Sequence, residues 1–174
     1  MSAKAASVVP PATPQPITVR PAKAEDCDAI LRMIKALAAY QGVADRVSAK
    51  VDALRHDGFG PERKFEALIA EYGGRPVGLA MFQSHYASWE TATSLQITDL
   101  FVDEAVRGTG IGFRLVLEVA HIARDRGCTG LQLNMVHANP SRTSFDRMGF
   151  VHQDDLLHYR LDAQGLKQLM EMER

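Results

Sequence analysis

The stretch that most constrains this chain is Arg107-Gly108-Thr109-Gly110-Ile111-Gly112, set between an apolar-rich run (Ile97 to Val102) and an amphipathic segment. Alternate glycines permit backbone conformations with φ > 0 and let a ligand approach the main chain closely. A helix starting here turns several backbone N–H groups outward, where they form an anion site. Arg107 adds a fixed positive charge at the rim. A strand, a tight loop and a helix N-terminus must follow one another, and their chemistry points to a phosphate-bearing ligand held by main chain.

Spacing narrows the choice. A P-loop requires Lys-Ser or Lys-Thr after the last glycine, whereas Gly112 is followed by Phe113-Arg114. A dinucleotide fingerprint, G-x-G-x-x-G, belongs near the start of a βαβ unit. Here the pattern is G-x-G-x-G, and several candidate elements precede it. What remains is R-x-x-G-x-G, read as Arg107, Gly110 and Gly112, beside the plain alternative of a tight turn that binds nothing.

Composition sets the frame. The 174 residues suit one domain, expected over residues 17–174, with 46% hydrophobic and 24% charged residues. A net charge of −1 gives no sign of a nucleic-acid or anionic-membrane partner. With no long apolar run and no signal-peptide core, a cytoplasmic setting is expected. Cys27 and Cys128 read as reduced small hydrophobes. The six histidines show no ligand spacing, so no metal is expected. Residues 1–16, rich in Ala, Ser and Pro, read as a disordered arm.

The rest of the chain alternates strand and helix signals. Ile17 to Arg20 reads as a strand; Ile30, Met33, Ile34, Leu37 and Ala38 mark a helix that Gly42 ends. A shorter helix is expected over Ser48 to His56, closed by Gly58 and Gly60. Phe65 to Glu71, Gly73-Gly74 and Pro76 to Gln83 read as a hairpin, and Ser94 to Val102 as a further strand. His85 to Thr93 reads as an exposed loop or strand margin. After the glycine loop, Ile111, Leu115, Val119 and Ile122 form one apolar helix face, with Gly127 fitting its C-terminal cap. Leu131, Leu133 and Met135 alternate as a strand. Pro140 to Met148 reads as a short helix capped by Asn139. Leu156 to Leu161 reads as a last strand, before a terminal amphipathic turn at Leu166, Leu169 and Met170. The fold class is α/β, a mixed sheet flanked by helices in the order β-α-α-β-β-β-α-β-α-β.

This order, with R-x-x-G-x-G between the fourth strand and the third helix, resembles the GCN5-related N-acetyltransferase (GNAT) family over about residues 17–162. Tyr86-Ala87-Ser88-Trp89, Ile97-Thr98-Asp99-Leu100-Phe101-Val102 and Arg126-Gly127-Cys128 are most similar to its diamine and thialysine acetyltransferase branch. The resemblance implies a GNAT-type sheet, acetyl-CoA as cosubstrate, and direct acetyl transfer to a small primary amine, a polyamine or a lysine-like molecule. It also implies a homodimer. Leu100, Phe101 and Val102 would offer main-chain groups to the pantetheine arm, helped by a bulge or splay in the sheet. Arg107, Gly108, Gly110, Ile111, Gly112 and Phe113 would bind the pyrophosphate, and Asn139 would lie near the cofactor.

The reaction needs a neutral amine. Deprotonating a primary amine of pKa about 10.4 at pH 7 costs roughly 4–5 kcal/mol, so a base is useful. The chain departs from the family at both proton-handling positions. Phe145 stands where a general-acid Tyr is common, and reads as a packed aromatic. Thr98 stands where the branch has Glu, leaving Asp99, which strand alternation would point to the opposite face from Thr98. Asp99, Tyr159 and Glu90 are the catalytic candidates, with His85, Tyr86 and His137 as weaker ones. These departures motivate an alternative, an acyl-CoA-binding module that regulates rather than catalyses.

Overall fold

A computed structural model of the chain describes residues 15–136, 139–155 and 157–172, which fall in two compact units divided between Pro140 and Ser141. The first unit is a five-stranded sheet in sequential order: β1 (Ile17–Pro21), β2 (Glu66–Tyr72), β3 (Arg75–Ala87), β4 (Ala92–Val102) and β5 (Leu131–Leu133). The first four strands run antiparallel to their neighbours, and β5 runs parallel to β4. The sheet is mixed, as expected.

Helices cover both faces of the sheet. Helix α1 (Cys27–Tyr40) and α2 (Val51–Phe59) bury Cys27, Ile30, Met33 and Leu54 against Ala67, Ile69, Leu79, Met81 and Phe101. Helix α3 (Ile111–Asp125) buries Ile111, Leu115, Val116, Val119 and Ala123 on the other face. Gly78 marks that contact, because a Cβ there would meet Ala70, Ile111 and Leu115 at 3.0–3.1 Å. Gly73 and Gly74, at φ +59° and +76°, make the tight β2–β3 hairpin whose twist suits antiparallel strands.

Several expectations need correction. Helix α2 does not stop at His56: Gly58 lies inside it, where a Cβ would come within 2.5 Å of the Phe65 ring, so close packing rather than termination explains that glycine. Of the two readings of His85 to Thr93, the strand margin holds at its ends: His85 to Ala87 and Ala92 to Thr93 are paired strand. They form a two-stranded ribbon extending past the end of β2, with Trp89 at its turn 96% exposed. Of the arm expected over 1–16, residues 1–14 lie outside the described residues. Gln15 donates its N–H to the Tyr72 hydroxyl, and the Pro16 carbonyl accepts from Gly73 N–H.

The second unit holds α4 (Arg142–Arg147) and α5 (Ala163–Glu171). Phe145 is buried edge-on to Phe150, the packed aromatic expected. Helix α4 begins at Arg142 behind Ser141, so Asn139 is not its cap; the Asn139 N–H instead turns back to the Val136 carbonyl at 3.0 Å. The last strand expected over Leu156 to Leu161 does not form across 157–161, and Leu156 lies outside the described residues. Alternation makes a strand only where a ladder partner and a buried face exist. Here Leu157, Tyr159 and Leu161 stay exposed.

Candidate active site

The site is built around a change of phase in β4. Met81 pairs with Asp99 and Phe82 with Ile97, so Thr98 is an extra residue on β4, a β-bulge. Leu95 and Ile97 lie opposite Ser84 and Phe82, on the α3 face. Asp99 and Phe101 lie opposite Met81 and Leu79, on the α1 face. Unbroken alternation would have put Asp99 beside Ile97; the bulge turns it toward α1 instead. Thr98 is therefore not held on the opposite face from Asp99, as alternation suggested. Its hydroxyl lies close enough to act on the Asp99 carboxyl, and 3.3 Å from the Met81 carbonyl.

The bulge also coincides with a splay. Strand β4 pairs with β5 only at Leu95, Gln96 and Ile97, yet it continues to Val102. Among the described residues its β5-side edge carries no ladder from Thr98 onward; the Asp103 N–H bonds the Val77 carbonyl, so by alternation Phe101 turns its main-chain groups toward β3 and Leu100 and Val102 turn theirs outward along that edge. Such an edge is suited to an extended ligand that carries amides of its own.

The chain then enters the glycine loop. A 3-10 turn, Glu104–Val106, is anchored by buried Val106, and the Thr109 hydroxyl donates to the Val106 carbonyl at 2.7 Å. Gly108 and Gly110 have φ of +79° and +85°, and a Cβ at either would meet no atom within 4 Å. Glycine is needed there for conformation, not for space. Gly110 caps α3; its carbonyl accepts from Arg114 N–H, leaving the amides of Ile111, Gly112 and Phe113 without an intrahelical acceptor. Gly112 is different. Its φ is not positive, and a Cβ would sit at an ordinary 3.7 Å from Val102. Nothing in the fold asks for glycine at 112, whereas a ligand lying against the backbone would. The loop thus fits a pyrophosphate.

Arg107 does not project freely. Its Nε donates to the Val102 carbonyl at 3.1 Å, and its guanidinium lies 4.5 Å from the centre of the Tyr40 ring, a cation–π contact. The last turn of α1 is thereby fastened to the glycine loop. Phe113 is exposed, and Ile111 is buried beneath the loop.

On the α1 face a cavity of about 320 Å³ opens beside Asp99. Its walls come from α1 (Ile34, Leu37, Ala38) and from the connection to α2 (Val43, Val47). Partial burial there pushes the Asp99 carboxyl above its ordinary range, with the Thr98 hydroxyl acting in the opposite sense. A carboxylate shifted upward is a stronger base.

Glu90 sits in the ribbon turn, and at about 3.3 Å per strand residue that is roughly 20 Å or more along β4 from Asp99. His85 and Tyr86 stand exposed on β3 of the ribbon, Tyr159 is 84% exposed in the second unit, and His137 lies outside the described residues. Sequence reasoning missed the cavity walls; it expected a bulge or splay at Leu100 to Val102, and the bulge lies at Thr98. The bulge had a signal: Leu95 and Ile97 are followed by Leu100 and Val102, an apolar alternation that slips by one residue.

The sequence profile of the Acetyltransferase (GNAT) family matches residues 32–150, which include β4, the glycine loop and α3. This chain belongs to the GNAT acetyltransferases. Its similarity to a thialysine N-epsilon-acetyltransferase of Sus scrofa is 36% identity over 131 residues, covering 71% of this GNAT chain and 76% of that protein. It is 34% identical over 134 residues to a spermidine/spermine N(1)-acetyltransferase-like protein 1 of Homo sapiens, covering 73% of this chain and 19% of that one. An integron cassette protein from the mobile metagenome of V. cholerae shares the fold of this GNAT acetyltransferase at a TM-score of 0.73 and 22% identity, covering 89% and 98% of the two chains.

Proposed function

We propose that this acetyltransferase moves the acetyl group of acetyl-CoA directly to a small primary amine held in the cavity beside Asp99. The observation that carries the reading is the bulge at Thr98: it turns a carboxylate to the α1 cavity at the point where the β4–β5 pairing ends and the β4 edge opens. The Ile111, Gly112 and Phe113 amides would hold the pyrophosphate, and the free edge at Leu100 to Val102 the pantetheine arm. Asn139 follows β5 and is kept as a cofactor neighbour. The thialysine activity named for one relative, and the likeness to a spermidine/spermine acetyltransferase named for the other, support an amine acceptor. A cytoplasmic setting and a homodimer complete the proposal, as the family resemblance implies.

The chain's own contribution follows from its residues. An amine enters as a cation, and the Asp99 carboxylate takes its proton, directly or through a water. The free amine attacks the thioester carbonyl carbon, the C–S bond breaks, and coenzyme A leaves as a thiolate that takes the second proton from the nitrogen, directly or through a water. A main-chain N–H on the open β4 edge is placed to stabilise the oxygen charge that develops. A thiol with pKa on the order of 8.5 leaves tolerably without an acid, so Phe145 in place of a Tyr slows the reaction rather than preventing it. Thiol release from acetyl-CoA over a panel of amines, with the product identified by mass, tests the reading. Acetylated amine is expected; coenzyme A binding with no turnover on any amine would favour the regulatory module instead.

A further inference from the structure

Beyond the amine, the same cavity carries a second charge. Arg46, in the turn between α1 and α2, lines it together with Asp99. Arg46 has no carboxylate within 4 Å among the described residues, Asp99 included, so neither charge neutralises the other. The rest of the lining is apolar, with Gln41 and Ser48 as the polar exceptions. A cavity with a carboxylate, an apolar wall and an unpaired guanidinium is dipolar. Its complement is a molecule with an ammonium at one end, methylenes between, and an anion at the other.

We infer that Arg46 is a specificity-determining residue that reads a carboxylate on the acceptor, so that the cavity favours an ω-amino acid over a diamine. The inference rests on the reading of this cavity as the acceptor site. The physical basis is the sign of the second charge. A diamine with its first ammonium at Asp99 brings its second toward Arg46 and meets repulsion. A carboxylate at that position accepts N–H bonds from the planar guanidinium, a geometry that a lysine ammonium would not reproduce. Arg46 is exposed, so solvent weakens the pair, and a discrimination of roughly tenfold is the scale to expect for one open charge-assisted contact.

The test compares three acceptors with matched stems: 6-aminohexanoate, hexylamine and 1,5-diaminopentane. For the wild-type chain, kcat/KM is expected to be highest for 6-aminohexanoate, by about tenfold over the diamine. Arg46→Gln is expected to collapse that ratio, and Arg46→Glu to invert it in favour of the diamine. A wild-type preference for the diamine, or an Arg46→Gln loss of the same factor on all three acceptors, would overturn the inference. Silence on every acceptor would overturn the acetyl-transfer reading instead. In that event calorimetric titration of 6-aminohexanoate into the coenzyme A complex decides Arg46 separately: weaker binding in Arg46→Gln supports it, and equal or absent binding in both proteins rejects it.

Discussion

At the scale of the residue, Asp99 joins chemistry to stability. Burial raises its carboxyl, so the folded state holds a proton more tightly than the unfolded chain. Wild-type stability is therefore reduced as pH rises from the unfolded value, about 3.9, through the raised folded value. Asp99→Asn removes that cost. The variant is expected to melt above wild type at pH 7, with the difference vanishing below about pH 4 in a pH series of thermal melts. Its kcat/KM on the best amine should fall by about 10²-fold or more at pH 7, the scale of lost general-base help. A variant both less stable and fully active would show Asp99 to be structural. Asp99 was legible in the sequence as a carboxylate beside the glycine loop. Its direction was not, because direction depends on strand register, and one extra residue reverses it.

At the scale of the element, the glycine loop separates what the fold needs from what a ligand needs. Gly110→Ala must adopt φ +85° and should cost about 1–2 kcal/mol, read by urea unfolding. Gly112→Ala sits in the first turn of α3 with room for its methyl, and helix propensity favours it by up to about 1 kcal/mol. It should be as stable as wild type or more so, yet bind coenzyme A at least tenfold more weakly by calorimetry. Unchanged coenzyme A affinity in Gly112→Ala would remove the loop as the pyrophosphate site. Helices α1 and α3 were legible because their apolar faces recur at helical spacing over three to four turns. The ribbon at His85 to Thr93 read only as a loop or strand margin, because neither of its faces is buried and polar strands carry no period to read.

At the scale of the whole molecule, the first unit is tied along its edge by a charge network. Arg20 on β1 bonds Asp26, just before α1, at 2.8 Å, and Glu71 on β2 at 2.8 Å. The Arg20 guanidinium holds the Asp26 carboxyl below its ordinary value, helped by the Lys23 amide at 2.7 Å. A lowered carboxyl stabilises the fold above its unfolded value and loses that contribution as pH falls through the folded one. Asp26→Asn should therefore cost about 1–2 kcal/mol in urea unfolding at pH 7, with the deficit shrinking below about pH 4. The mixed sheet with helices on both faces was legible from the order of periodic segments. The final strand over 157–161 was not, since pairing is a property of two segments and sequence alternation describes only one.

The central claim is direct transfer from acetyl-CoA to an amine beside Asp99, with no acetylated enzyme between. Cys27 is fully buried against the α1 core and Cys128 lies in the turn before β5, so neither cysteine is at the cavity. The decisive measurement is the initial rate of thiol release with acetyl-CoA varied at several fixed concentrations of the best amine. Double-reciprocal lines that intersect, with turnover strongly reduced in Asp99→Asn, are the expected result. Parallel lines, the mark of a covalent acetyl-enzyme, or full turnover in Asp99→Asn would contradict it.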